Sequence, residues 1–476
     1  MTGTCPHLKC AKWSKQHDGS YICSQDKDNK CGCLSNIAST SVNIILSKEQ
    51  IDDRNDYINE IKNSINNETL ALITGAGISK PSKMPLWTDL ISRMMGYAIQ
   101  YNFMEKKHLT TEDSAFFSNL NDLSSRLIKG ELKILSNVNP LESAEYVAQF
   151  LDDASFIDDK RDKLPDISIK TMIRRIIKHS LPPSKLLMKE LRDTRNSGLG
   201  LPDELMKYNG NGSIASVIKN IEQENAEKYL SEIASLNTMF AVSYLMYHEK
   251  GVRQTMTYNF EPLVQEHLLD LYGLNNEKIL THPGKFSSTA YGSKDDLREI
   301  YHVHGFVPGE RHTKRNIPHV FPEESDYIIL SEDSYYRVEK NEAYNWSSSI
   351  QSYFLNKYNC LFVGFSADDY NFRRILRQTR SIKPKPKSDF DDKKKHFLVI
   401  PINDWVRNIY ENICHMSINT NTKIGSDLLN RISENALLVT QQVLKCREEY
   451  WKRFNIFPIW VTVEEIPKLL ASFINP

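Results

Sequence analysis

The stretch Leu70 to Leu90, LALITGAGISKPSKMPLWTDL, constrains the fold of this chain more than any other. Its first five residues, Leu70-Ala71-Leu72-Ile73-Thr74, form an apolar run of strand length. That is the pattern of a strand buried on both faces of a parallel sheet. Gly75 and Gly77 follow around Ala76, and residues without Cβ let the backbone turn sharply and approach a neighbour closely. A helix is expected from Leu86 to Tyr101, with Leu90, Ile91, Met94, Met95 and Ala98 on one side. Strand, glycine turn and helix is how α/β proteins hold a diphosphate, through backbone N–H groups and a helix N-terminus. The stretch is not G-x-G-x-x-G, so plain strand-to-helix packing stands beside nucleotide binding as a reading.

Charge narrows the partners. Lys and Arg number 60, as do Asp and Glu, so the 476-residue chain carries no formal net charge. That balance argues against nucleic acid or an anionic membrane as the main partner. The N-terminus, MTGTCPHLKC, has no apolar signal core, and no apolar run reaches spanning length. The chain reads as cytoplasmic. Five of its 8 cysteines, Cys5, Cys10, Cys23, Cys31 and Cys33, crowd the first residues with His7 and His17. Such a cluster could hold a structural zinc, although no paired C-x-x-C is present; a reduced arm without metal is the other reading.

Three regions are expected: a Cys-rich extension over 1–46, a nucleotide-binding α/β domain over 47–103 and 253–476, and a helical insertion over 104–252. Ser47 with Gln50 fits a capping box ahead of an amphipathic helix bearing Ile51, Ile58, Ile61 and Ile65. After the insertion, strands are expected at Thr255–Asn259, Tyr301–His304, Tyr327–Leu330, Leu361–Phe365, Phe397–Ile402 and Ile459–Val463. Helical stretches between most of them predict an α/β, Rossmann-like fold: a largely parallel sheet with helices on both faces.

Four segments fall at expected carboxyl ends of strands, where open α/β sheets bind ligands. They are Gly75-Ala76-Gly77-Ile78-Ser79, Thr257-Tyr258-Asn259-Phe260-Glu261, His302-Val303-His304-Gly305, and Gly364-Phe365-Ser366-Ala367-Asp368-Asp369-Tyr370-Asn371. Each alone has a structural explanation, such as a helix cap or a hydrogen-bonded histidine.

In this order, GAGIS, T-x-N, HG and G-x-S with D-x-N, the chain resembles the sirtuin (Sir2) superfamily, and within it the Sir2-like NAD hydrolases of bacterial anti-phage defence. Trp87 within PLWTDL fits that branch, as do the stretch from Ile328 to Tyr336 and the closing Phe457-Pro458-Ile459-Trp460. Two features depart from the deacylase pattern. Glu261 stands where deacylases carry an aspartate, and between His304 and Ser366 there is only Cys360, so the four-cysteine zinc module is absent.

The resemblance implies NAD as substrate, its diphosphate over Gly75, Ala76, Gly77 and Ser79, with Trp87 and Thr257 in the site. Gly364 would also bind the cofactor, Ser366, Asp369 and Asn371 would face the adenosine side, and Glu261 the nicotinamide amide. Asn259 and His304 would flank the nicotinamide ribose as the catalytic pair. Asn259 would orient a water or ribose hydroxyl, because a carboxamide both donates and accepts. His304 would act as base, since a neutral imidazole suits proton abstraction near pH 7. His302, two residues earlier, is expected to point to the same face. The implied activity is NAD glycohydrolysis by a defence effector, silent until a homo-oligomer, an activating partner or a ligand triggers it. Two alternatives stay open: an NAD-dependent protein deacylase, and a non-catalytic subunit that binds NAD or ADP-ribose. A serine hydrolase around Ser366 lacks the second glycine of a nucleophile elbow.

Overall fold

The structure is a computed structural model that describes residues 13–15, 21–23, 45–104, 114–131, 140–155, 168–194, 212–221, 225–284, 296–330, 342–366, 370–381, 394–402 and 426–474, with positions 202, 205 and 208. The chain divides into two compact units. One joins Met1–Asn63 to Lys395–Ile466, and the other joins Ser64–Lys394 to Pro467–Pro476.

In the first unit, β1 (Trp13–Lys15) and β2 (Tyr21–Cys23) pair as an antiparallel hairpin. Helix α1 (Lys48–Asn66) starts with a reciprocal cap: Ser47 N–H donates to Gln50 Oε1 at 3.1 Å, and Gln50 N–H to Ser47 Oγ at 3.3 Å. Both orphan donors of the first turn are thus satisfied by the two residues the sequence singled out.

In the second unit the apolar run Leu70–Thr74 is strand β3, every residue of it buried. A 3₁₀ segment, Ala76–Ser82, leads from it to helix α2 (Trp87–Met104). Among the described residues, seven helices then follow before the next strand: α3 (Ser114–Lys129), α4 (Pro140–Ser155), α5 (Ile169–Lys178), α6 (Pro183–Thr194), α7 (Ile214–Ile221), α8 (Ala226–Ala234) and α9 (Thr238–Tyr247). Leu186, Leu191, Leu230, Ile233, Phe240 and Tyr244 share one buried cluster in this block, joined by Leu271 and Tyr272. Burying each aliphatic side chain is worth about 1.5–3 kcal/mol, so the insertion has a core of its own, closed against the sheet-bearing part by Leu271 and Tyr272.

The sheet resumes with β4 (Gln254–Thr257), then α10 (Leu263–Asp270), β5 (Ile279–His282), β6 (Arg298–His302), the short α11 (Glu310–Thr313), α12 (Glu342–Lys357), β7 (Asn359–Val363) and α13 (Tyr370–Ser381). Within this unit the strand order is β5-β6-β4-β3-β7, and each pairing is parallel. Strand β3 lies inside the sheet, between β4 and β7, because its apolar sequence tolerates neighbours on both edges and cover on both faces. The fold is α/β and Rossmann-like, as expected from the alternation of strands and helices.

Register brings the carboxyl ends of four strands into one row. Thr74 pairs with Thr257 and with Val363, and Thr257 pairs with His302. The ladder runs one residue further, through Tyr258 N–H to Thr74 O, Val303 N–H to Thr257 O and Gly75 N–H to Val363 O, at 3.0–3.1 Å. The chain leaves β3 toward β4 on one side and comes back as β7 on the other. The order therefore reverses beside β3, the place where open α/β sheets leave a crevice for ligands.

The first unit is completed by parallel strands β8 (His396–Pro401) and β9 (Ile456–Val461), with the long helix α14 (Ser426–Lys452) between them. Glu448 of α14 is buried and accepts from Gln50 Nε2 at 2.8 Å and Trp460 Nε1 at 2.6 Å, so its charge is not left unpaired. Helix α15 (Glu465–Ser472) follows β9 in sequence.

Candidate active site

Two glycine turns meet at the point where the strand order reverses. Gly75 N–H donates to Val363 O at 3.1 Å and Gly77 N–H to Gly364 O at 2.9 Å. A Cβ on Gly77 would lie 2.8 Å from Gly364 Cα, and one on Gly75 would lie 2.7 Å from Gly364 O. Gly364 itself has φ +63°, where side chains are rare. The glycines thus serve first to let two backbone turns touch. That corrects the expectation of a cradle of free donors: the Gly75 and Gly77 N–H groups are spent on β7. Ala76 opens the 3₁₀ segment between them.

Segment 257–261 is held at almost every atom. Thr257 Oγ1 accepts from Asn259 N–H at 3.1 Å, and Asn259 O accepts from His302 Nδ1 at 2.8 Å. Asn259 Nδ2 donates to Ser79 Oγ at 3.0 Å, and Ser79 Oγ donates to Glu261 Oε1 at 2.5 Å. Asn259, Ser79 and Glu261 are all buried. Burial drives the Glu261 carboxyl up to about 7, against the Ser79 hydroxyl, the Asn259 amide and the N–H groups of Glu261 and Phe260, which favour its ionised form.

The two histidines of the HG segment have different surroundings. Strand β6 stops at His302, so His304 lies past the strand in a turn. A carbonyl can only accept, so His302 Nδ1 carries the proton in its bond to Asn259 O. Its Nε2 accepts from Gln265 Nε2 at 2.8 Å. Gln265 Nε2 also donates to Thr281 Oγ1 at 3.2 Å, whose own proton goes to Val320 O at 2.7 Å. Burial holds the His302 imidazole down at about 4. His302 is therefore a neutral, locked strut rather than a companion of His304 on one face. The His304 ring instead lies edge-on to Tyr258, 4.7 Å between centroids, and 6.5 Å from Phe260. Those are the two residues that flank Asn259.

Gly305 directly follows His304. Its φ is +100°, and a Cβ there would sit 2.4 Å from Tyr327 O, so the space is filled from within. The half-buried Trp87 faces Phe260 at 6.2 Å. Ser366 is exposed beyond Gly364 and Phe365. Asn371 is in the first turn of α13, while Asp369 lies outside the described residues. Cys5, Cys10, Cys31 and Cys33 lie outside them too, and only the backbone of Cys23 is described, on β2. Among the described residues no group of three or more His, Cys, Asp or Glu side chains could hold a metal. No helix among them is long and apolar enough to cross a membrane.

Sequence reasoning missed three side chains here. Tyr258 meets His304 with its edge and Phe365 at 4.6 Å, and its hydroxyl donates to Gln351 Oε1 at 2.7 Å. Gln265 fixes the His302 tautomer. Tyr258 sits inside the quoted motif and was legible there; Gln265 and Gln351 carry no local signal.

A family model described as SIR2-like domain matches residues 253–418. This part of the chain is similar to the Sir2 superfamily, whose members are NAD-related, and it contains Asn259, Glu261, His304 and Gly364. The GAGIS turn lies outside the match and meets the matched segments through the sheet, through Gly364 and through Ser79. Among curated proteins, none matches the chain significantly.

Proposed function

We propose that the chain is an NAD glycohydrolase that cleaves NAD to nicotinamide and ADP-ribose. The observation that supports this reading is the contact of Asn259 with Ser79 of the GAGIS turn, with His304 against Tyr258 and Phe260 on either side of Asn259, the residues 258–304 lying in a stretch similar to SIR2-like domains. NAD would lie across the strand ends, with Trp87, Thr257, Gly364 and Ser366 around it and Asp369 and Asn371 toward the adenosine.

The reaction breaks the bond between ribose C1′ and the pyridinium nitrogen. The electron pair leaves with nicotinamide, which departs neutral and needs little acid assistance. Positive charge develops on the ribose, as in sugar hydrolysis, and water adds to C1′. His304 takes the proton that the water loses, and Asn259 orients the water or a ribose hydroxyl. A positioned base of this kind contributes about 10²–10⁴ in rate. As a defence effector, the enzyme would drain NAD only once a partner protein, self-assembly or a ligand had triggered it.

Incubation of the purified protein with NAD, alone and with co-expressed neighbouring gene products, is read by product mass. His304→Ala and Asn259→Ala are each expected to lower turnover by about 10²-fold or more while circular dichroism stays unchanged. Most of the turnover surviving in both variants rules out the assignment. An acyl-lysine peptide in the same assay separates the deacylase alternative, and calorimetric binding of NAD without turnover separates the non-catalytic one.

A further inference from the structure

The buried acid of the T-x-N segment closes a directional chain of hydrogen bonds that begins at Asn259. Asn259 Nδ2 donates to Ser79 Oγ at 3.0 Å, and Ser79 passes its one proton to Glu261 Oε1 at 2.5 Å. The backbone of Asn259 has no freedom to compensate, since its N–H is held by Thr257 Oγ1 and its carbonyl by His302. We propose that Glu261, acting through the Ser79 hydroxyl, is the positioning residue that fixes which end of the Asn259 carboxamide faces the substrate.

The argument is one of donor counting. A hydroxyl has one proton and two acceptor lone pairs. While Glu261 is a carboxylate it only accepts, so the Ser79 proton must point to it. Ser79 Oγ can then only accept from Asn259, which commits the amide nitrogen and leaves Oδ1 as the end offered to a ribose hydroxyl or water. Once Glu261 is protonated it can donate to Ser79 Oγ instead. The Ser79 proton is released toward Asn259, which then presents its oxygen to Ser79 and turns its nitrogen outward. An acceptor has become a donor, and a water that must lose a proton is no longer held by it. The groups that act most strongly on the carboxyl are Ser79, Asn259 and the N–H groups of Glu261 and Phe260, none of them charged. Burial leaves it titrating close to neutrality, so both arrangements are within reach.

The proposal rests on the glycohydrolase reading for its consequence but has a readout of its own. The side-chain amide signals of Asn259 in a ¹⁵N-correlated spectrum are assigned by their loss in Asn259→Ala. They should move with pH in the wild-type chain and lose that dependence in Ser79→Ala and Glu261→Gln. With NAD, both variants should lose about 10- to 100-fold in kcat with little change in KM, the loss expected from a misplaced group. The acidic limb of the kcat profile should also fall less steeply in Glu261→Gln, where the His304 base alone must stay unprotonated. Asn259 signals that ignore both substitutions overturn the relay, as does a kcat profile unchanged in Glu261→Gln. Should Ser79→Ala fail to fold, Glu261→Gln decides alone. A wild-type chain that neither binds nor cleaves NAD defeats the functional reading, while the amide signals still decide the relay.

Discussion

At the scale of single residues, the site holds a costly group in place. A buried carboxyl whose named partners are all uncharged destabilises the fold whenever it is charged. Glu261 ionises at about 7 in the folded chain, against 4.5 for an unperturbed glutamate. Below pH 4.5 both states are protonated and the residue is neutral to stability. Between 4.5 and 7 the unfolded chain releases the proton and the folded one keeps it, so stability falls as pH rises. Above 7 the full penalty is present, on the order of 3 kcal/mol. His302 and His396, both held down at about 4 by burial, act in the opposite sense, costing stability as pH falls from 6.5. Comparing wild type with Glu261→Gln cancels the histidines. The variant is expected to melt at the same temperature as wild type at pH 4 and higher at pH 8. Equal melting temperatures at both values would show that the carboxyl is not buried as described. The neighbouring Glu266 shows the contrast: burial pushes its carboxyl up, but His312 and Arg311 outweigh burial and hold it at about 2.

At the scale of elements, the sequence was most readable where one force dominates. Strand β3 runs over Leu70–Thr74 as expected because its whole length is apolar. The capping box at Ser47 and Gln50 formed because both partners are local. The misreadings share a pattern. At the rim of the site, three strands were expected to run two residues too far, to Asn259, His304 and Phe365, whereas they stop at Thr257, His302 and Val363. Beyond those ends come Phe260, Val303 and Phe365, which look strand-like in hydropathy but line the rim of the site. Tyr327–Leu330 is not a strand; it is apolar because it covers Gly305, with Ile329 N–H on His304 O at 2.9 Å. Strand β5 was missed, being only four residues with every second one half-exposed. What turns the chain at the rim is tertiary contact, which local pattern does not record. Gly364 tests this. A Cβ there would meet Ile78 N at 2.5 Å with φ +63°, whereas at Gly212, φ +76°, the nearest atom is Ser216 Oγ at 3.5 Å. Both alanine variants bear the left-handed cost of about 1–2 kcal/mol, and Gly364→Ala adds about 1–3 for overlap. In denaturant titrations Gly364→Ala should therefore be the weaker fold; equal losses would show that the turns do not touch.

At the scale of the molecule, the α/β class was legible from strand and helix alternation, and the long helical block between β3 and β4 from its period. How that block is fastened was not. Arg311 reaches Ser180 O at 3.0 Å and Ser180 Oγ at 2.9 Å in the block, and Glu266 Oε2 at 2.7 Å in the sheet-bearing part. Leu181 N–H donates to Ser82 O at 2.9 Å, which ties the block to the segment bearing Ser79. These partners stand far apart in sequence and leave no periodic trace.

The position of β3 limits how the chain can be cut. It pairs with both β4 and β7, yet it is encoded ahead of the stretch that matches the family model. A fragment of residues 253–418 would carry the amide, the acid and the imidazole but bare the facing edges of two strands, a template for aggregation. Expressed alone it should be insoluble, and co-expression with residues 64–252 should recover it; a soluble, cooperatively melting fragment would contradict this. For recombination the lesson is geometric. The rim joins residues 180 positions apart, as Ser79 and Asn259 are, so no short contiguous cassette can transplant it and both halves must be inherited together.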